Sequence, residues 1–320
     1  YGLWIFAGSF WILVLSRIIG GVARGNLSVA TAAIADVTSR ESRSKGMALV
    51  GVAFGLGFIL GPALGGWAST IPLGSEAQGV FVLNKFSLAA VISLALGVLN
   101  WVWLASRFKE TLPPEKRATA DAPKPAIFQI GRIDNAAVRK TCLSYLFYMI
   151  SFSGMEFTLT FLAVERFNYT PSDIAKMFLL IGFTLILAQG FFVRRFVGPL
   201  GEKKLALIGI CIGIIAFAMI ALIHGEPWFY LSLFLMSTGV AFISPTLTAL
   251  TSLHSKETDQ GFHLGVFRSS GSMARACGPL LAGLVYFTFG SSFAYLLGSV
   301  FLLIPAIFLL SVPQPDLSKR

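Results

Sequence analysis

The sequence predicts an all-α polytopic membrane protein, and three observations carry that class. Apolar residues make up 55% of the 320 and charged residues only 12%, about half the roughly 25% charge of a soluble domain. Mean hydropathy is +0.77, and phenylalanine alone contributes 29 residues, as a lipid-facing surface requires. The apolar residues also gather into runs long enough to cross ~30 Å of hydrocarbon. These runs fall at about 11–34, 46–70, 86–105, 139–164, 174–196, 204–224, 228–252, 262–287 and 292–311. Residues 1–9 read as the end of an earlier run. The chain opens on Tyr1 inside that run with no charged leader, so the natural amino terminus is expected upstream.

The formal net charge of +10 raises the question of a nucleic-acid partner, and its distribution answers against one. Loop 106–140 carries Arg107, Lys109, Lys116, Arg117, Lys124, Arg132, Arg139 and Lys140. Loops 35–45, 194–204 and 253–261 and the tail add most of the rest, whereas the alternate loops hold only Lys85, Arg166 and Lys176. That alternation is the positive-inside pattern. It predicts that the basic loops and the carboxyl terminus are cytoplasmic.

Pro113, Pro114, Pro123 and Pro125 make 106–138 a linker, in which proline removes backbone donors and favours extended chain. It separates a first bundle, 1–105, from a second, 139–320. A repeat supports the division. Asp36 to Glu41 leads into Gly61-Pro-Ala-Leu-Gly-Gly66, and His254 to Glu257 leads into Gly278-Pro-Leu-Leu-Ala-Gly283. Glu41 precedes Pro62 by 21 residues and Glu257 precedes Pro279 by 22. Both copies run in the same direction, so one bundle is present in two parallel copies.

The run from Gly51 to Gly66 is apolar yet rich in glycine. Gly57, Gly61 and Gly65 recur every fourth residue and predict a bare stripe along which another helix can lie. Pro62 has no amide hydrogen and clashes with the carbonyl four residues back, so a bend is expected there. Gly51, Gly55, Gly57, Gly61, Pro62, Gly65 and Gly66, with Gly278 and Pro279 in the second copy, are the candidate gating and helix-packing positions.

These residues resemble a known family. Gly51…Gly61-Pro62-Ala-Leu-Gly65-Gly66 is similar to the antiporter motif on the fifth helix of drug:proton exchangers of the major facilitator superfamily. Leu13-Val-Leu-Ser-Arg17-Ile-Ile-Gly20-Gly21 resembles the fourth-helix motif whose arginine is tied to proton transfer, with Gly20 where glutamine is usual and Ala23 where glycine often lies. Glu110-Thr-Leu-Pro-Pro114 resembles the family's usual end of the sixth helix. Gly190 to Gly201 resembles a degenerate second copy of its loop signature. The resemblance implies the major facilitator fold, amino-terminally truncated, from the end of helix 3 through helices 4–12. It implies a cavity lined by helices 1, 2, 4, 5, 7, 8, 10 and 11, and transport driven by a proton gradient rather than a bound cofactor.

Charge inside spans is expensive and marks pathways. Arg17 and Arg24 lie in the fourth helix, Glu156 in the seventh, and Arg268 and Arg275 in the eleventh, whereas the sixth, ninth and twelfth are uncharged inside. Each arginine pair is seven residues apart and so shares a helix face. Arg17 and Glu156 are the proton-coupling candidates; Arg24, Arg268, Arg275 and Gln189 are the substrate-binding candidates. A bland role stays open for three of them: Arg17 holding backbone carbonyls, Arg268 snorkelling to the interface, and Glu156 in a permanent ion pair. Four arginines against one glutamate favour an anion, because guanidinium matches carboxylate and phosphate geometry. Phe147, Tyr148, Phe152, Phe157, Phe242 and Phe267 are expected to hold an apolar body beside that charge.

The expected function is therefore a monomeric secondary active transporter of amphipathic organic anions or drug-like molecules. It works by alternating access in a lipid bilayer, either the plasma membrane or an organelle membrane. The alternatives are a non-transporting receptor or scaffold and a lipid-handling carrier. Cys142, Cys211 and Cys277 lie in spans and predict free thiols; His224, His254 and His263 are scattered, so no metal centre is expected. No phosphate-cradling loop or nucleophile constellation appears, which argues against ATP drive and against an enzyme. Asn168-Tyr-Thr170 fits a glycosylation pattern, but Pro171 follows it directly.

Overall fold

A computed structural model describes residues 1–23, 30, 33, 34, 37, 38, 43–71, 73, 79–84, 86–111, 126–256 and 259–315. Among these the architecture is all-helical, with one isolated antiparallel bridge between Ala7 and Phe81. The chain forms two compact units: Tyr1–Ala33 with Leu60–Ala118, and Ile34–Ile59 with Thr119–Arg320.

The first unit contains α1 (Gly2–Ile5), α2 (Phe10–Ala23), the last part of α3 (Arg43–Ser69) and α4 (Ser87–Arg107). Ser87 Oγ donates to the Ile5 carbonyl at 2.6 Å, and Asn84 Nδ2 donates to the Ala7 carbonyl at 2.9 Å. These bonds tie the start of α4 to the α1–α2 turn. Beyond them α4 buries little: Leu96, Leu99, Trp101 and Trp103 are all exposed, as expected of a helix whose solvent is lipid.

The second unit holds the first part of α3 and α5 (Ala136–Phe167), α6 (Pro171–Leu187), α7 (Arg194–Leu200), α8 (Glu202–Leu222), α9 (Glu226–Leu253), α10 (Gln260–Phe289), α11 (Ser291–Phe301) and α12 (Leu303–Leu310). Local chemistry sets their ends. Asn135 caps α5 by accepting from the backbone N–H of Ala137 and Val138, and Asn168 ends it in the left-handed region at φ 51°. Thr170 and Asp173 close a capping box on α6, with Pro171 in its first turn. The bundle has a near end, where α5 begins, and a far end, where α5 finishes.

Two glycine contacts set the packing. A Cβ on Gly154 of α5 would sit 2.6 Å from the Ala282 Cβ and 3.0 Å from the Gly278 carbonyl of α10. Gly209 of α8 and Gly239 of α9 abut in the same way, each added Cβ falling 2.8 or 2.7 Å from the other's carbonyl. Lipid supplies no hydrophobic drive between helices, so such backbone-close packing is what holds them. Six described segments are long and apolar enough to cross a membrane: Ser87–Arg107, Ala136–Phe167, Ser172–Val193, Glu202–Leu222, Glu226–Leu253 and Ser291–Leu310.

The structure refines two of the expected runs. The run at 292–311 breaks at Leu302 into α11 and α12. The run at 174–196 continues through a π-helical turn, Ala188–Val193, into α7 and stops only at Gly201, where φ is 77°. An apolar run cannot announce a change of helix register, because every residue in it is compatible with lipid.

Candidate functional site

α5, α6 and α9 surround a narrow recess of about 20 Å³, room for roughly one water. Phe152, Met155, Glu156 and Leu159 come from α5, Phe178, Ile181 and Leu185 from α6, and Met236, Ser237 and Val240 from α9. Glu156 is half-buried, the one carboxylate on a wall that is apolar apart from Ser237. Arg275 of α10 stands close enough for the two charges to act on each other.

Tyr148 lies about two turns before Glu156 on α5 and stacks on Phe152, with ring centroids 6.0 Å apart. Its side chain is 4% exposed, and its hydroxyl has no hydrogen-bond partner. Glu156 and Arg275 both act on it electrostatically. Gln189 is 3% exposed and its Oε1 has no partner. It continues the face of Phe178, Ile181 and Leu185 by one turn, inside the π segment, a distortion that often marks functional sites. Arg268 is half-buried with Nε unpartnered, its guanidinium carbon 5.7 Å from the centroid of the Phe267 ring. Phe267 in turn stacks on Tyr145 at 3.9 Å.

Burying a donor or acceptor without a partner costs about 1–3 kcal/mol, so native interiors rarely keep one without use. Among the described residues four such atoms occur: those of Tyr148, Gln189 and Arg268, and Ser151 Oγ. The sequence-derived candidates Glu156, Arg275, Arg268 and Gln189 thus lie in one bundle, on α5, α10 and the π turn. Arg17 lies elsewhere, in the first unit, exposed, with its guanidinium carbon 4.0 Å from the centroid of the Trp4 ring. That is a cation–π contact. Arg24 lies outside the described residues.

The glycine helix behaves differently from its sequence pattern. An added Cβ on Gly57, Gly61, Gly65 or Gly66 meets no described atom within 4 Å. The close approach is at Gly55, where a Cβ would sit 2.8 Å from Ile186 Cγ1 and 3.0 Å from the Gly182 carbonyl of α6. The contact is reciprocal: a Cβ on Gly182 would sit 2.7 Å from the Gly55 carbonyl. Gly51 and Pro62 lie within α3, and Pro279 lies within α10 beside the Gly278 contact.

Sequence reading passed over Gly182, Ser151 and the Tyr148 hydroxyl. Only neighbouring helices distinguish Ser151 from other span serines such as Ser144, which donates to the Pro305 carbonyl at 2.9 Å. Of the six expected aromatic partners, Phe152 alone lines the recess among the described residues. Phe147 packs on Phe301 and Phe308, and Phe157 packs on Phe161. Phe157 sits one residue from Glu156, a rotation of about 100°.

Polar pins close the far end. Tyr286 and Ser291 donate to the Glu165 carboxylate, and Arg166 donates to the Ile220 carbonyl at 2.6 Å and to Ser292 at 3.0 Å. Tyr169 donates to Glu226 at 2.9 Å. Burial first, then hydrogen bonds with Tyr230 and Glu226, push its phenol well above the usual range. Among the described residues no cluster of histidine, cysteine and carboxylate could hold a metal.

The family model described as Major Facilitator Superfamily matches residues 1–261 and 178–320. Major facilitator superfamily domain-containing protein 10 of Mus musculus is 31% identical over 98% of this chain and 70% of its own length. The class B tetracycline resistance protein of Escherichia coli is 26% identical over 89% of this chain and 68% of its own. The crystal structure of the human organic anion transporter MFSD10 superposes with a TM-score of 0.82 at 32% identity, covering 97% of this chain and 73% of that one. With its apolar helices and charge-bearing bundle, this multi-pass membrane chain belongs to the major facilitator superfamily, whose members are transporters and not enzymes.

Proposed function

We propose that this chain is a secondary active transporter of amphipathic organic anions, driven by a proton gradient through alternating access. The observation that carries the reading is Glu156, set in the second unit's recess within electrostatic reach of Arg275, with the unpartnered hydroxyl of Tyr148 on the same helix. A carboxylate loses solvation in such a recess and is stabilised by a nearby guanidinium, so a change in exposure can load or release its proton. Arg268 and Arg275 supply positive charge for an anion, and Gln189 supplies an unused acceptor. Aromatic and aliphatic walls suit the apolar body of such a substrate. The human relative is named an organic anion transporter, which agrees in sign with this charge balance; the bacterial relatives are named for tetracycline resistance.

In this reading the Gly55–Gly182 contact is a gating seam between α3 and α6. The basic near end is cytoplasmic by the distribution of Lys and Arg, the transporter acts as a monomer, and Arg17 belongs to the proton path. The test is uptake of a labelled organic anion into proteoliposomes, with and without an imposed pH gradient. Wild-type uptake is expected to rise several-fold with the gradient. Glu156→Gln should lose that dependence, and Arg275→Gln should weaken binding of the anion. Absence of uptake in either condition makes the chain a non-transporting receptor, and uptake indifferent to pH removes the proton.

A further inference from the structure

A second, larger recess of about 270 Å³ opens between α5, α8, α10 and α11. It is separate in chemistry from the Glu156 recess. Ser151, Met155 and Thr158 follow one another on α5 at spacings of four and three and face it, whereas Phe152, Glu156 and Leu159 form the neighbouring stripe. Met155 is the wall between the two. Among the described residues no charged one lines this second recess, and its polar groups are the hydroxyls of Ser151, Thr158 and Tyr295.

We infer that this recess binds a neutral, largely apolar small molecule that carries one hydrogen-bonding group and enters from the bilayer. Its cavity volume of about 270 Å³ stands just below the roughly 300–1,000 Å³ of typical ligand sites, which suits a small ligand. Its mouth is apolar: Leu281, Leu284 and Leu297 line it and are 53%, 67% and 43% exposed, a rim suited to hydrocarbon. The inner wall is held in place by backbone contact. A Cβ on Gly278 would collide with Ser153, and one on Gly298 would lie 2.8 Å from the Phe217 ring.

The polar groups then specify the ligand. Thr158 and Tyr295 satisfy each other at 3.2 Å. Ser151 Oγ, in a side chain only 9% exposed, has no partner, although a serine in an apolar helix ordinarily finds one. It sits at the middle of the 32-residue α5. A phospholipid whose head group stays at the interface brings only methylenes to that depth, leaving the hydroxyl unpaired. A charged ligand meets no counter-charge there. A neutral molecule with a carbonyl or hydroxyl on an apolar frame satisfies both demands. This proposal does not rest on the transport reading, since its readout is binding alone.

The test uses the full chain in phosphatidylcholine nanodiscs with a photoreactive neutral steroid ketone as probe. Labelled residues are mapped by mass spectrometry. Saturable labelling at residues 281–285 and 294–301, displaced by the unreactive ketone, is expected. Ser151→Ala should lower labelling roughly five- to tenfold, the worth of one hydrogen bond, and Ser151→Thr should restore it. Ala294→Phe, which fills the recess, should abolish it while thermal melting is retained. If Ser151→Ala labels as the wild type does, the ligand assignment is wrong. If a photoreactive phosphatidylcholine labels the same residues equally and competes with the ketone, the recess holds ordinary lipid only and the proposal falls.

Discussion

Gly55→Ala and Gly57→Ala place the same methyl group two residues apart on one helix, and the structure assigns them opposite outcomes. On Gly55 the methyl would stand 2.8 Å from Ile186 Cγ1 and 3.0 Å from the Gly182 carbonyl. Carbon atoms pack best at about 3.5–4.0 Å, so α3 and α6 must part by roughly 1 Å. Ile186 can turn aside, but the carbonyl is backbone and moves only with its helix. Overpacking of that kind costs about 1–3 kcal/mol. On Gly57 the methyl meets nothing described within 4 Å, and alanine is the better helix former by about 1 kcal/mol in the scale for water. Gly55→Ala is therefore expected to lower the melting temperature of the purified protein by several degrees, and Gly57→Ala to leave it unchanged or raise it. Paired cysteines at 55 and 182 would report the separation directly, losing crosslinking yield when Ile59 is enlarged. Equal melting temperatures for the two alanine variants would refute the assignment of the seam to Gly55.

Three further substitutions test other contacts. Tyr148→Phe removes a buried hydroxyl that has no partner, so stability should hold or rise by about 1 kcal/mol while anion uptake falls, as thermal melting and proteoliposome flux would show together. Asn135→Ala deletes the cap that accepts from two N–H groups at the start of α5, and a loss of about 1 kcal/mol is expected in a denaturation series; Asn135→Asp should retain most of it. Arg166→Ala frees the Ile220 carbonyl and two serines at the far end, and faster hydrogen exchange at the end of α8 is the expected readout.

Much of the fold is legible in the amino-acid sequence, and for a simple reason. Hydrocarbon demands runs of about 20 apolar residues and penalises charge inside them, so spans and intramembrane charges stand out in one dimension. The resemblance of Gly61-Pro62-Ala-Leu-Gly65-Gly66 and its neighbours points to the same superfamily as the matching family model. Helix ends are partly legible, through Thr170 with Asp173 and through Asn135, because capping is chemistry between near neighbours.

What one dimension cannot hold is which face of a helix meets which neighbour. The spacing of Gly57, Gly61 and Gly65 describes a bare stripe, yet the described close approach is made by Gly55 with a glycine 127 residues away. Phe147 and Phe152 are equivalent as letters, but only Phe152 reaches Glu156's recess. An unpaired hydroxyl is defined by what surrounds it, so Tyr148 and Ser151 are informative only with their neighbours in place. Composition and periodicity therefore determined that this chain is a bundle of membrane helices bearing buried charge. Tertiary packing alone decided that Glu156 lines a recess within reach of Arg275, because lipid tolerates every apolar face equally and leaves close helix contact to choose among them.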